Sequence, residues 1–357
     1  SSRSCTGALA HTCRRAPPRA MLPATRWQPR AARLALAWLV TGGAWAEVGL
    51  EVGGAGEAIF VTTADGPEGS AMVEGLLASS RKLRVIAGVS ASDSPAARKL
   101  AAAGAELRVM GSSPSSEAFA GAAWVFVLAP LTSDRLERGR ALIDAAHKGG
   151  VRNAALLSVI GAGPDAPSSL GAYYSLELYL ASLWPKSSFA ILRTFFYQQN
   201  LLLWAPDARS TGALRLPLES NCFAPLYEAD VAEALAVLMA SGASPGGRVL
   251  ELTGPRAVGG GELAEVASGA IGSPGLAFER TNRSAAARTL EAAGGLDPSE
   301  AALVLDLLLW QTSPRFCARW PSPDFQAVVG RPPTDILAFF EQNSAAFRAG
   351  GPRVLTE

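Results

Sequence analysis

Residues 57–75 read EAIFVTTADGPEGSAMVEG. The apolar run Ala58-Ile59-Phe60-Val61 predicts a buried strand, and Met72, Val73, Leu76 and Leu77 recur at helical spacing after a short turn carrying Gly66 and Gly69. Strand, glycine turn and helix in that order open a βαβ unit of the kind that holds a dinucleotide. There, glycines let backbone N–H groups approach a pyrophosphate, and the helix N-terminus adds partial positive charge. The three fingerprint glycines fall here on Thr63, Gly66 and Gly69, so the first is replaced. Asp65 and Glu68 place two carboxylates at the mouth of the helix. Two readings follow. Thr63, Asp65, Gly66, Pro67, Glu68 and Gly69 form a cofactor cradle, or Asp65 caps the helix with Glu68 three residues on, and the turn serves the fold alone.

The chain has 357 residues, 49% of them hydrophobic and 18% charged, which supports a sizeable core and argues against general disorder. The net charge is +1, but residues 1–46 hold seven arginines and no acid, which leaves −6 for the remainder. That balance argues against nucleic-acid binding by the folded part. With two histidines, and with Cys222 and Cys317 far from any metal-ligand spacing, no metal site is expected.

Residues 1–46 read as a targeting leader, excluded from the fold. Their Arg-rich, acid-free composition resembles an organelle transit peptide. They end in LALAWLVTGGAWA (34–46), too short to span a bilayer, with Ala44-Trp45-Ala46 in the pattern of a signal-peptidase site. A two-part leader into a plastid is the favoured address, and a secretory signal starting at Met21 is the alternative.

From 57 to 194, strand-like and helix-like runs alternate. Strands are expected at 82–89, 106–109, 123–128, 153–159 and 188–195, with helices at 95–103, 134–148 and about 168–183. Continuous apolar strands alternating with helices imply an α/β fold: a doubly wound, Rossmann-like parallel sheet covered on both faces, with ligands above the carboxyl ends of the strands. Residues 195–357 are expected to form mainly a smaller, mixed substrate-side subdomain.

Several phrases then resemble one family. Val61–Gly66 resembles a VTGATG turn. Ala87-Gly88-Val89 with SPAARKL (94–100) and AGAELRV (103–109), FAGAAWVFVL (119–128), Ile191-Leu192-Arg193 with Asn200, PLYEADVAE (225–233) with Asp230, LELTG (250–254), and Val329–Pro333 follow in the order and spacing of NmrA-like proteins. These are an atypical branch of the short-chain dehydrogenase/reductase superfamily. The resemblance covers about 57–348. It implies a Rossmann core that binds NADP or NAD.

The wider superfamily uses a strand-end Ser to polarise the substrate carbonyl, a Tyr to pass the proton and a Lys to lower the Tyr pKa. The matching positions offer Ser158 and Tyr173 or Tyr174, but Glu177 and Leu178 stand where the Lys belongs. Ser158 also reads as an ordinary strand-end serine, and Tyr173, with Leu176 and Leu180, as one packing face of a helix. At the end of the second strand, Gly88-Val89-Ser90-Ala91 carries neither the Arg that pairs with a 2′-phosphate nor the acid that reads a ribose, so Ser90 is the remaining contact there. Ser112 or Ser113 replaces the family's Asp after the third strand.

Phe195, Phe196, Tyr197, Leu201–Leu203 and Trp204 cluster after the sixth strand. By resemblance they border the substrate cleft together with Asn200, and an aromatic lining suits a flat apolar ligand such as a quinone. The competing reading is core packing. LVLDLLLW (303–310) is expected to be a buried or partner-facing helix, and 312–323 a surface loop. The functional expectation is an NAD(P)-binding protein, an NAD(P)H-dependent reductase of a small carbonyl or quinone. The alternative is a non-catalytic Rossmann protein acting as a regulator, a sensor or a structural subunit with a protein partner in an organellar complex. No membrane span is expected.

Overall fold

The computed structural model describes residues 57–348, apart from 112, 219, 273 and 295. The leader, its proposed address and its cleavage site therefore lie outside the described residues. The βα alternation runs through β1 (Ala58–Val61), α1 (Pro67–Ala78), β2 (Arg84–Val89), α2 (Pro95–Ala102), β3 (Glu106–Val109), β4 (Ala122–Val127), α3 (Arg135–Lys148), β5 (Asn153–Val159), α4 (Ser168–Leu183) and β6 (Phe189–Thr194). After them come α5 (Ala205–Thr211), β7 (Ala213–Leu216), α6 (Glu228–Ala240), β8 (Arg248–Leu252), α7 (Gly260–Ile271) and β9 (Ala277–Arg280). The chain continues through α8 (Arg283–Ala293), α9 (Pro298–Gln311), α10 (Pro314–Cys317), α11 (Asp324–Val329) and α12 (Ile336–Phe347).

Seven parallel strands form one sheet in the order β3-β2-β1-β4-β5-β6-β8. The order reverses between β1 and β4, the switch point above which such sheets bind ligands. Strand residues alternate between two buried layers. Ile59 and Val61 pack with Met72, Val73 and Leu76 of α1, Leu100 of α2 and Leu235 of α6. Ala58 and Phe60 pack with Ile143 of α3 and with Leu176 and Leu180 of α4. Both faces are covered, which is why the strands read as unbroken apolar runs rather than alternating ones.

The 194/195 division is not clean in space. β8 returns to the main sheet as its edge strand, and α6 lies against α1 so closely that a Cβ on Gly75 would stand 2.6 Å from the Ala232 Cβ. The substrate-side part is the parallel pair β7–β9 with its surrounding helices. Asp230 ties it down. Buried in α6, it accepts hydrogen bonds from the Thr334 N–H (2.7 Å), the Thr334 hydroxyl (3.0 Å) and Arg331 (2.8 Å). Burial still pushes its carboxyl above the usual range, against these bonds.

Two features of this part differ from the sequence expectation. Residues 312–323 are not a plain surface loop, because Phe316 and Trp320 are buried and Trp320 meets Phe195 edge-on with ring centroids 5.7 Å apart. Cys222 and Cys317 form a disulfide across 95 residues, with Cα atoms 5.1 Å apart. Among the described residues, no helix is long and apolar enough to cross a membrane.

Candidate functional site

Helix α1 starts differently from the self-capped reading. Its N-cap is Gly66 in extended backbone, Pro67 occupies the first turn, and no side chain caps it. Pro67 has no N–H to satisfy, which suits that position. Asp65 turns instead to the end of β2, where the Ser90 N–H donates to its Oδ2 at 2.7 Å and the Ser90 hydroxyl donates to the same oxygen. Glu68 turns the other way, into a cleft beside Tyr197. Neither carboxylate closes the helix mouth.

The turn itself keeps the shape of the fingerprint although its first glycine is gone. Thr63 takes a left-handed φ of 44°, a conformation that costs a β-branched residue energy. Its hydroxyl donates to the Leu128 carbonyl at 2.9 Å, as does that of Thr62, and this pair of bonds holds the turn against the end of β4. A Cβ on Gly66 would meet only the Thr63 carbonyl oxygen, at 3.5 Å, so that side is open. A Cβ on Gly69 would collide with the same carbonyl and lie 2.7 Å from the Ala64 Cα. This is the close helix–strand approach that the third glycine permits. The open helix start, the open Gly66 face and the tight Gly69 contact together fit a pyrophosphate.

A cavity opens on each side of this turn. One, of about 380 Å³, is bounded by Thr63, Asp65, the β2 end from Gly88 to Ser90, Ser113 and the outer face of α3. The other, of about 340 Å³, lies above β5 and β6. Pro67 and Glu68 form its rim towards the turn; Tyr173, Phe195, Phe196 and Tyr197 make an aromatic wall; Leu303, Val304 and Leu307 of α9 cover it. Asn200 and Glu228 also face it. Helix α9 is thus neither wholly core nor wholly exposed: one face closes the cleft, and its last residue, the buried Gln311, fixes the cleft floor. Gln311 accepts from the Phe196 N–H at 2.7 Å and donates to the carbonyls of Thr194 (3.0 Å) and Ile160 (3.2 Å).

Of the expected catalytic residues, only Tyr173 faces the cleft. Ser158 points to the opposite face of β5, fully buried, and donates to Glu177 at 2.5 Å. Glu177 also accepts from Arg193 Nε at 2.9 Å and Nη2 at 2.6 Å. Alternation along the strand accounts for this, since Val159 takes the cleft side. Tyr174 packs in a small apolar cluster with Val159, Ala162 and Leu170 and faces neither cavity. The cleft groups that sequence reading missed are Glu228 and Gln311, and beside them Arg135, which bears on the cleft through Tyr173. The arginine stacks over Tyr173 at 4.9 Å, while its side chain bonds the carbonyls of Pro130 and Ser169. A helix-start Glu and a helix-start Arg look like surface charge in a linear sequence.

Burial dominates the electrostatics of the cleft. It pushes the Glu68 carboxyl up to about 7, against the lowering influence of Tyr197 and Arg135. It pushes Tyr173 up to about 12, although Arg135 opposes this, and it also raises Tyr197. Glu228 is raised by burial and by the like charges of Glu68 and Glu74. The native Glu68 therefore holds a proton that the unfolded chain has already lost between pH 4.5 and about 7. Over that window this group makes stability fall as pH rises, and above it the cost is complete. Glu68→Gln removes the cost. Its unfolding temperature should match wild type near pH 4.5 and exceed it progressively up to pH 7. The plateau difference is about 1–2 kcal/mol after allowance for solvent access. Thermal melts of both proteins across pH 4–8 check this, and parallel curves would contradict it.

The fold and the two cavities flanking an uncapped, glycine-bearing helix start define a Rossmann-type domain with a second, apolar cleft. Residues 56–284 match the NmrA-like family, and the chain belongs to it. A segment of 180 residues, half of the chain, is 31% identical to an NAD(P)H azoreductase of Xenophilus azovorans and spans 61% of that protein's length. Among solved structures, the chain is similar to an NADPH-dependent quinone oxidoreductase of Escherichia coli complexed with NADPH, with a TM-score of 0.67 and 22% identity over 80% of this chain and 99% of that one. It is also similar to the Citrobacter sp. triphenylmethane reductase complexed with NADP(H), with a TM-score of 0.66 and 19% identity over 80% and 99% of the two chains. These likenesses carry the fold.

Proposed function

We propose that this protein binds NAD(P)H across the α1 turn and reduces a flat, apolar acceptor such as a quinone in the cleft. The observation that carries the reading is the pair of cavities flanking an uncapped helix start. The first has the size and position for the adenosine half, the turn for the pyrophosphate, and the second for the nicotinamide and a stacked acceptor. The azoreductase likeness and the neighbours that bind NADPH support it.

The bound cofactor supplies a hydride. This chain's own residues do the rest: the aromatic wall orients a planar acceptor and excludes water, and Glu68 holds a proton at a carboxyl whose pKa of about 7 is matched to neutral pH. Tyr173, held near 12 with no lysine beside it, is the weaker acid. Reducing a quinone takes one hydride and one proton, so a Glu68 carboxyl balances the transfer.

A second reading, a non-catalytic dinucleotide-binding regulator, is favoured by the withdrawal of the Ser158 hydroxyl into the Glu177–Arg193 pair. Mixing the full chain with NADH or NADPH and a naphthoquinone separates the two. Steady loss of reduced nicotinamide with formation of hydroquinone supports the reductase. Saturable binding without turnover of quinones, azo compounds or aldehydes supports the regulator.

A further inference from the structure

We infer that Asp65 makes this protein select NADH over NADPH, by presenting a carboxylate to the adenosine ribose from the β1–α1 turn; the inference rests on the dinucleotide-binding reading above. The ribose of a dinucleotide in such a fold lies at the end of the second strand, where an acid hydrogen-bonds its 2′-hydroxyl and a basic group receives a 2′-phosphate. In this chain the end of β2 supplies only Ser90. The acid arrives from elsewhere. Asp65 reaches across from the turn, and its Oδ2 is fixed by the Ser90 N–H at 2.7 Å and by the Ser90 hydroxyl. Its Oδ1 accepts no hydrogen bond from a described residue, and the residue borders the 380 Å³ cavity. It is an anchored acceptor at the strand end where a ribose hydroxyl would lie.

The rest of that cavity offers a 2′-phosphate little compensation. Arg138 and Lys148 of α3 line it, but Glu137 and Asp144 line it from the same helix. With Asp65 included, three acids face two bases, a balance of −1. A dianionic phosphate set against Asp65 would be repelled at short range, and the Ser90 N–H and hydroxyl, already donated to Asp65, are not free to receive it. A 2′-hydroxyl donates to Oδ1 and leaves those contacts in place.

Calorimetric titration of the full chain with NADH and with NADPH at one ionic strength tests this, alongside Asp65→Asn and Ser90→Ala. Wild type is expected to bind NADH at least about tenfold more tightly than NADPH. Asp65→Asn, which keeps the shape and removes the charge, should bring the two affinities within about threefold, chiefly by tightening NADPH. Ser90→Ala, which keeps the charge, should retain the preference. Equal or tighter NADPH binding by wild type overturns the inference and leaves the dinucleotide reading standing. An NADH preference that survives in Asp65→Asn overturns the assignment to Asp65. Binding of neither nucleotide overturns the dinucleotide reading and the inference with it.

Discussion

Gly69→Ala should weaken dinucleotide binding about a hundredfold and destabilise the fold. The added methyl has nowhere to go, because its neighbours are the Thr63 carbonyl and the Ala64 Cα, both backbone, and neither can swing aside as a side chain would. Either α1 moves away from β1 or the turn flattens. Overpacking of this kind costs about 1–3 kcal/mol. The binding loss is larger, because the first-turn N–H groups of α1 no longer converge on one point. Losing two hydrogen bonds to a charged phosphate weakens binding by about a hundredfold. Gly269→Ala is the control. It lies inside α7, where a Cβ meets nothing within 4 Å, and it should raise stability by about 0.5–1 kcal/mol and leave binding unchanged. Thermal melts and nucleotide titration of the two variants side by side check both halves.

Glu177→Ala is the most destabilising single change expected on the other face of the sheet. The Glu177 side chain is 5% exposed and Arg193 is 19% exposed, so removing the carboxylate leaves a largely buried guanidinium without its partner and the Ser158 hydroxyl without its acceptor. Breaking one side of a buried ion pair costs about 3–5 kcal/mol. For a domain of this size that lowers the unfolding temperature by roughly 5–8 °C. The double change Glu177→Leu with Arg193→Met should recover most of the loss, because the penalty lies in the stranded charge rather than in a large net gain from the pair. Ser158→Ala should cost only about 1 kcal/mol. A double variant as unstable as Glu177→Ala would contradict this explanation.

The sheet was legible because its strands are buried on both faces and its helices have clear ends. The expected strand at 106–109 is β3 itself, and the helix expected at 134–148 begins one residue later, at Arg135. What the sequence hid depends on contacts between distant residues. Asp65 looked like a helix cap because a cap is the local use of such a residue, and its actual partner is the Ser90 amide 25 positions away. Ser158 stands at the end of β5 where a catalytic serine belongs, but only the pleat decides which face its hydroxyl takes, and Glu177 claims it. Cys222 and Cys317 gave no sign of pairing, since nothing local marks two cysteines 95 residues apart as neighbours. Glu228 and Gln311 reach the cleft or its floor from two different helices, and Arg135 backs Tyr173 from a third, so no short motif could announce them.

Everything proposed for this protein depends on the start of α1 being an open pyrophosphate seat despite the lost first glycine. Amide hydrogen exchange of the full chain with and without saturating NADH tests that most directly. New protection is predicted at Gly66, Glu68 and Gly69 and at the β2 end from Gly88 to Ser90, with a second protected patch around Phe195–Asn200. Unchanged exchange at Gly66–Gly69 while nucleotide binds would contradict it.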